Sequence, residues 1–164
     1  MKLVVKNGFL INQDQKYKCS VGYNGLSKNK TEGDGCTPVG TFKLNKIMYR
    51  PDKINDFKSN LETEIIEKRD GWCDDINSEL YNQKIIFPYE LSAENLYRDD
   101  DLYDLICIID YNLNPIIKGK GSAIFLHVAS SDYSPTHGCV AIKKDELIEI
   151  AMKLNRGSLI QIDD

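Results

Sequence analysis

Short stretches of alternating apolar and polar residues fill the first third of the chain, at 2–6, 9–11, 17–22 and 40–48. A period of two marks a strand with one buried face. The intervening Gly, Asn and Asp residues, including the run GDGCTP, suit tight turns, so this third is expected to form a β-meander. From 50 to 81 the alternation dissolves into polar, Asp-rich sequence containing the single Trp. That length without periodicity predicts a long surface excursion folded back over the sheet.

Periodicity returns further on. Residues 84–87 predict a short strand. LYDLICIIDY (102–111) and AIFLHV (123–128) are apolar on successive positions, as in strands buried on both faces. In 145–155, Leu147, Ile150, Ala151 and Leu154 recur at the spacing of one helical face, with Gly157 as the expected C-terminal cap. Residues 158–162 supply a last strand. The expected fold is mainly β, a sandwich or meander with one long excursion and one C-terminal helix, in a single domain over 1–164. No internal repeat, low-complexity tract or linker argues for a second domain.

Composition narrows the function classes. The 164 residues are 41% hydrophobic and 28% charged, as in an ordinary globular domain. The 21 basic residues against 25 acidic give a net charge of −4, which offers no general attraction to nucleic acid or an anionic membrane. No apolar run approaches the roughly 20 residues that span a bilayer. The first 18 residues read as a strand and turn and not as an export signal. Five cysteines, Cys19, Cys36, Cys73, Cys107 and Cys139, occur without a paired motif, so neither a disulfide framework nor a zinc cassette is indicated. Cys107, inside LICII, is expected in the core and Cys73 beside Trp72 is expected to be structural.

Cys139 differs from the others because both histidines of the chain, His127 and His137, lie within twelve residues of it in FLHVASSDYSPTHGCVAI. A thiol with a pKa of about 8.5 is only a few per cent ionised at pH 7, and a neighbouring imidazole makes it a usable nucleophile. His127 ends a buried strand, which would fix its ring. Gly138 would let the backbone approach a substrate closely, and the Gly138 and Cys139 amides are candidates for an oxyanion hole. The turn-rich ASSDYSPT is expected to double the chain back and bring His127 opposite Cys139. Two other readings of these residues stay open. His127, His137 and Cys139, with Asp132 nearby, are a possible zinc set for a metal-dependent hydrolase; the other reading is a catalytically silent binding module. The acidic runs at 74–75 and 99–101 lack the alternating spacing of a calcium loop. Trp72, with Tyr81, Tyr89, Tyr97 and Tyr103, either walls a substrate groove or packs the excursion onto the sheet.

The strand-end His127, the small-residue loop and Thr136-His137-Gly138-Cys139 together resemble the signature of L,D-transpeptidase catalytic domains of the YkuD type. TPVGTF (37–42) resembles an early turn of the same domains. GDGCTPVG, YRPD, GWCDD, LYRDDDLYDL, GSAIFLHVA and SPTHGCVAI extend the likeness over most of 33–142. The resemblance implies a two-step acyl transfer on peptidoglycan stem peptides or their precursors, giving a cross-link with an amine acceptor and carboxypeptidase activity with water; for the silent reading it implies a cell-wall-binding module. It implies Cys139 as nucleophile, His127 as base with its ring oriented by the Val128 carbonyl, and His137 as a second histidine. Thr136, Gly138, Arg98 and Trp72 are expected to shape the substrate site. Many members carry Arg or Asn where this chain has Ala141, and Arg98 is the candidate replacement for that clamp on a substrate carboxylate. The short His127–Cys139 separation implies a trimmed active-site loop. No metal or cofactor is expected, and a monomer is. The resemblance implies the cell envelope, whereas the N-terminal sequence suggests the cytoplasm.

Overall fold

A computed structural model describes residues 1–163. The strands are β1 (Lys2–Lys6), β2 (Phe9–Asn12), β3 (Gln15–Ser20), β4 (Leu26–Ser27), β5 (Thr37–Pro38), β6 (Gly40–Tyr49), β7 (Thr63–Ile65), β8 (Asp70–Cys73), β9 (Lys84–Ile86), β10 (Ala93–Asn95), β11 (Leu105–Ile109), β12 (Phe125–Val128), β13 (Val140–Ile142) and β14 (Leu159–Ile162). One helix, α1 (Lys144–Lys153), lies between the last two. The expectation of a mainly β fold with a C-terminal helix holds.

Nine strands form one sheet in the order β11-β12-β13-β3-β2-β1-β14-β6-β7, and β11 also pairs with β6. The ten-residue β6 makes this closure possible: its first half pairs with β14 and its second half with β11. The sheet thus curls on itself like a barrel, with β7 added beside β6 as an edge strand. The meander β1–β2–β3 is antiparallel, as expected. β1 and β14 run parallel, so both ends of the described chain sit in the same part of the sheet.

The apolar runs at β11 and β12 are buried on both faces because each face meets a different core. Leu105, Cys107 and Ile109 join Leu126, Val128, Val140 and Ile142 in a core capped by α1. Ile106, Ile108 and Phe125 face a second core with Met48, Ile66, Trp72 and Cys139. Alternation along a strand therefore assigns His127, two residues after Phe125, to the second face.

α1 presents Leu147, Ile150 and Ala151 to the first core. Its C-cap is Leu154, in extended conformation. The expected cap, Gly157, lies beyond it, in a turn where its N–H bonds Asn155 Oδ1. The helix stops early because the chain must extend to feed Leu154 into the core and then reach β14. Leu147 is fully buried. Leu147→Ala is expected to lower stability by about 2–5 kcal/mol, measured by denaturant unfolding, because a rigid sheet beneath it cannot close the hole.

The stretch 50–81 does fold back over the sheet, but with more order than its sequence suggests. It carries β7 and β8, and β8 centres a small sheet, β10-β8-β9. Ile54, Phe57 and Leu61 enter the first core, and Ile66 and Trp72 the second. No helix among the described residues is long and apolar enough to cross a membrane.

Candidate active site

β12 and β13 pair in parallel, not as the hairpin that a simple doubling back would give, and the register sets His127 opposite Ala141. Cys139 lies two residues before Ala141 and on its side of the sheet, so imidazole and thiol occupy one face at diagonal positions. The loop between is anchored sideways: Thr136 N–H donates to the Val21 carbonyl, and Tyr23 N–H to the Thr136 carbonyl. That face forms the floor of a cavity of about 530 Å³, walled by Lys30, Glu94, Arg98, Tyr103 and His137.

Cys139 is 7% exposed. Its thiol donates to the Ala123 carbonyl at 3.1 Å and accepts the Phe125 N–H at 3.3 Å. Burial, with the Glu94 carboxyl adding to it and the Phe125 N–H and Lys30 pulling the other way, pushes the thiol up to about 12. The resting thiol is therefore protonated at neutral pH.

His127 is 5% exposed, with Nδ1 2.8 Å from the Val128 carbonyl oxygen. A carbonyl only accepts, so Nδ1 carries the proton and Nε2 keeps its lone pair. Burial lowers the imidazole to about 4, against the favourable bond to Val128. The edge of Tyr103 fixes the ring at 5.3 Å between centroids. A neutral, oriented imidazole beside a neutral thiol is an arrangement that can take a proton as the thiol attacks. His137 differs: it is exposed at the cavity mouth and packs edge-on against Tyr23.

Gly138 has φ +140°, which favours glycine. A Cβ there would lie 2.9 Å from the Cys36 carbonyl and 3.3 Å from Lys30 Nζ. The close approach that requires glycine is thus to the protein itself. The Gly138 N–H donates to Thr136 Oγ1 at 3.1 Å, and Thr136 Oγ1 donates to the Cys139 carbonyl at 2.7 Å. The Gly138 N–H, one of the two amides expected to face an oxyanion, is therefore engaged within the turn, and so is the Thr136 hydroxyl. Thr37 Oγ1 donates to the same carbonyl at 3.3 Å, physically linking TPVGTF to the nucleophile segment.

Arg98 lines the cavity, with Nε and Nη2 donating to Asp100 at 2.8 and 2.6 Å. Trp72 does not line it. The indole packs edge-on against Phe125 at 5.2 Å, and its N–H donates to Asn82 Oδ1 at 2.9 Å, so Trp72 packs beside the floor on the same face of the sheet. Of the aromatics considered with it, Tyr103 lines the cavity. Among the described residues no three His, Cys, Asp or Glu side chains are placed to hold a metal ion. His127, His137 and Cys139 therefore do not form the zinc set considered from sequence.

Two wall residues had no sequence signal. Glu94 accepts the Tyr103 hydroxyl at 2.7 Å, and desolvation holds its carboxyl above the usual range. Because its charge opposes ionisation of Cys139, Glu94→Gln is expected to lower the thiol pKa and speed iodoacetamide alkylation at pH 8 several-fold; slower alkylation would reverse the assigned sign. The other is Lys30, from the loop between β4 and β5.

The family model of the L,D-transpeptidase catalytic domain, YkuD, matches residues 2–162. The chain belongs to this family. An L,D-transpeptidase catalytic domain acts on peptidoglycan, and the match covers every residue of the site just described. No curated protein matches the chain significantly.

Proposed function

We propose that this L,D-transpeptidase domain, one catalytic unit over 1–164, is a cysteine acyltransferase that uses Cys139 as nucleophile and His127 as base. The observation that carries the reading is the shared face of thiol and imidazole on the cavity floor, with His127 Nδ1 held by the Val128 carbonyl. The Cys139 proton passes to His127 Nε2 as sulfur adds to the carbonyl carbon at the L-centre of diaminopimelate in a tetrapeptide stem. The C–N bond then breaks, the proton goes from His127 to the leaving amine, D-alanine departs and a thioester remains. An amine of a second stem resolves the thioester into a cross-link; water resolves it into a tripeptide. His137 and Arg98, at the cavity wall, orient the stem peptide.

The test is incubation with a purified tetrapeptide stem and an excess of a tripeptide acceptor, followed by mass analysis. Free D-alanine and a cross-linked peptide are expected. Tripeptide without cross-link assigns the hydrolytic branch, and no release of D-alanine removes the proposal.

A further inference from the structure

Lys30 is 5% exposed, although it lies in a polar loop far from Cys139 in sequence. Its stem runs over Gly121, where a Cβ would meet Lys30 Cε at 2.7 Å, and its Nζ ends beside Gly138. Among the described residues the ammonium has one fixed partner, Asp34 Oδ1 at 2.8 Å. Asp34 is itself pinned by the Thr31 and Cys36 N–H groups at 2.8 and 2.9 Å. A surface ion pair does not require this burial, and an ammonium with three donors has two left after Asp34.

The position acquires a purpose from what happens to the Gly138 amide. Attack on a carbonyl moves an electron pair onto its oxygen, and that oxygen needs preorganised donors. The Gly138 N–H is already taken by Thr136. The geometry points to Lys30 as a catalytic residue that takes its place: the Lys30 ammonium hydrogen-bonds the oxyanion formed when Cys139 adds to the substrate carbonyl. This rests on the proposed cysteine acyl transfer. The electron balance is simple: the S–C bond forms, the carbonyl π pair moves to oxygen, Lys30 donates a hydrogen bond without losing its proton, and collapse returns the pair as the C–N bond breaks.

Alkylation of the same thiol distinguishes this role from a structural one, because displacement of iodide by sulfur develops no oxyanion. Lys30→Met is expected to slow release of D-alanine from a tetrapeptide stem by about 10²–10³-fold, mainly in kcat. Alkylation of Cys139 by iodoacetamide should change less than tenfold, since Lys30 is only the last among the influences on the thiol. Lys30→Gln, which keeps a polar head in the buried loop, should show the same split with a smaller loss, and it carries the test if the Met variant fails to melt cooperatively. A folded variant that releases D-alanine at the parental rate overturns the assignment, as does a parallel loss of alkylation, which would mean that Lys30 only positions the loop. An unreactive parent protein removes the acyl-transfer reading and this assignment together; an active parent with an active Lys30→Met variant removes only the assignment.

Discussion

Cys139→Ala is expected to abolish the covalent adduct that a carbapenem forms with the protein and to reduce D-alanine release from a tetrapeptide stem by at least about 10³-fold. The reason is that no other thiol can substitute. Cys73 and Cys107 are fully buried in structural positions, and Cys19 packs into the first core, outside the cavity lining. Cys36, the nearest in sequence to the cavity-lining loop, gives its thiol to the Asn24 carbonyl at 3.5 Å. The substitution removes one sulfur and two weak hydrogen bonds to a strand already paired on both sides, so the variant should still fold, which its melting curve checks. Intact mass spectrometry reads the adduct directly. A carbapenem adduct on the alanine variant, or a parent protein that stays unmodified while folded and reduced, would remove Cys139 from the reaction. The parent should also show alkylation of Cys139 that rises steadily from pH 7 to 10, because burial holds the thiol near 12 and only the thiolate reacts.

The part of this site that sequence reveals is the part encoded locally. The LICII run is buried at all five positions because it separates two cores, and continuous apolarity states that. Leu147, Ile150 and Ala151 mark their helix because all three face one core. His127, His137 and Cys139 stand out because they lie close in the chain. What sequence misses is set by distant pairing. Lys30 reads as one of several polar loop residues until the fold lays it against Gly138 and Gly121. Glu94 becomes a wall only through pairing of β10 with β8. Trp72 sits among polar neighbours that suggest a surface, yet β8 turns it inward against Phe125. Gly138 shows both sides: the need for glycine is legible, and its cause, the Cys36 carbonyl, is not.

His127→Ala is expected to slow acylation by about 10²–10⁴-fold, the usual contribution of a positioned base, whereas His137→Ala costs less because that ring is exposed at the mouth. The pH profile separates loss of a base from loss of packing. Burial brings the His127 imidazole down to about 4, so the neutral, proton-accepting form persists well below neutrality. The acid limb of acylation in the parent should lie near that value and not near the ordinary 6.5. The same depression affects stability. Below 6.5 the unfolded chain takes up a proton that the folded chain resists until about 4, so stability is full above 6.5 and falls as pH drops through that window. His127→Ala removes this contribution, and its unfolding free energy should vary less between pH 6.5 and 4 than that of the parent. Equal residual acylation in the two histidine variants would mean that the base is shared or reversed. An acid limb that stays near 4 in a slow but folded His127→Ala variant would assign the titration to another group, with Glu94, whose carboxyl is also raised by burial, the first to replace.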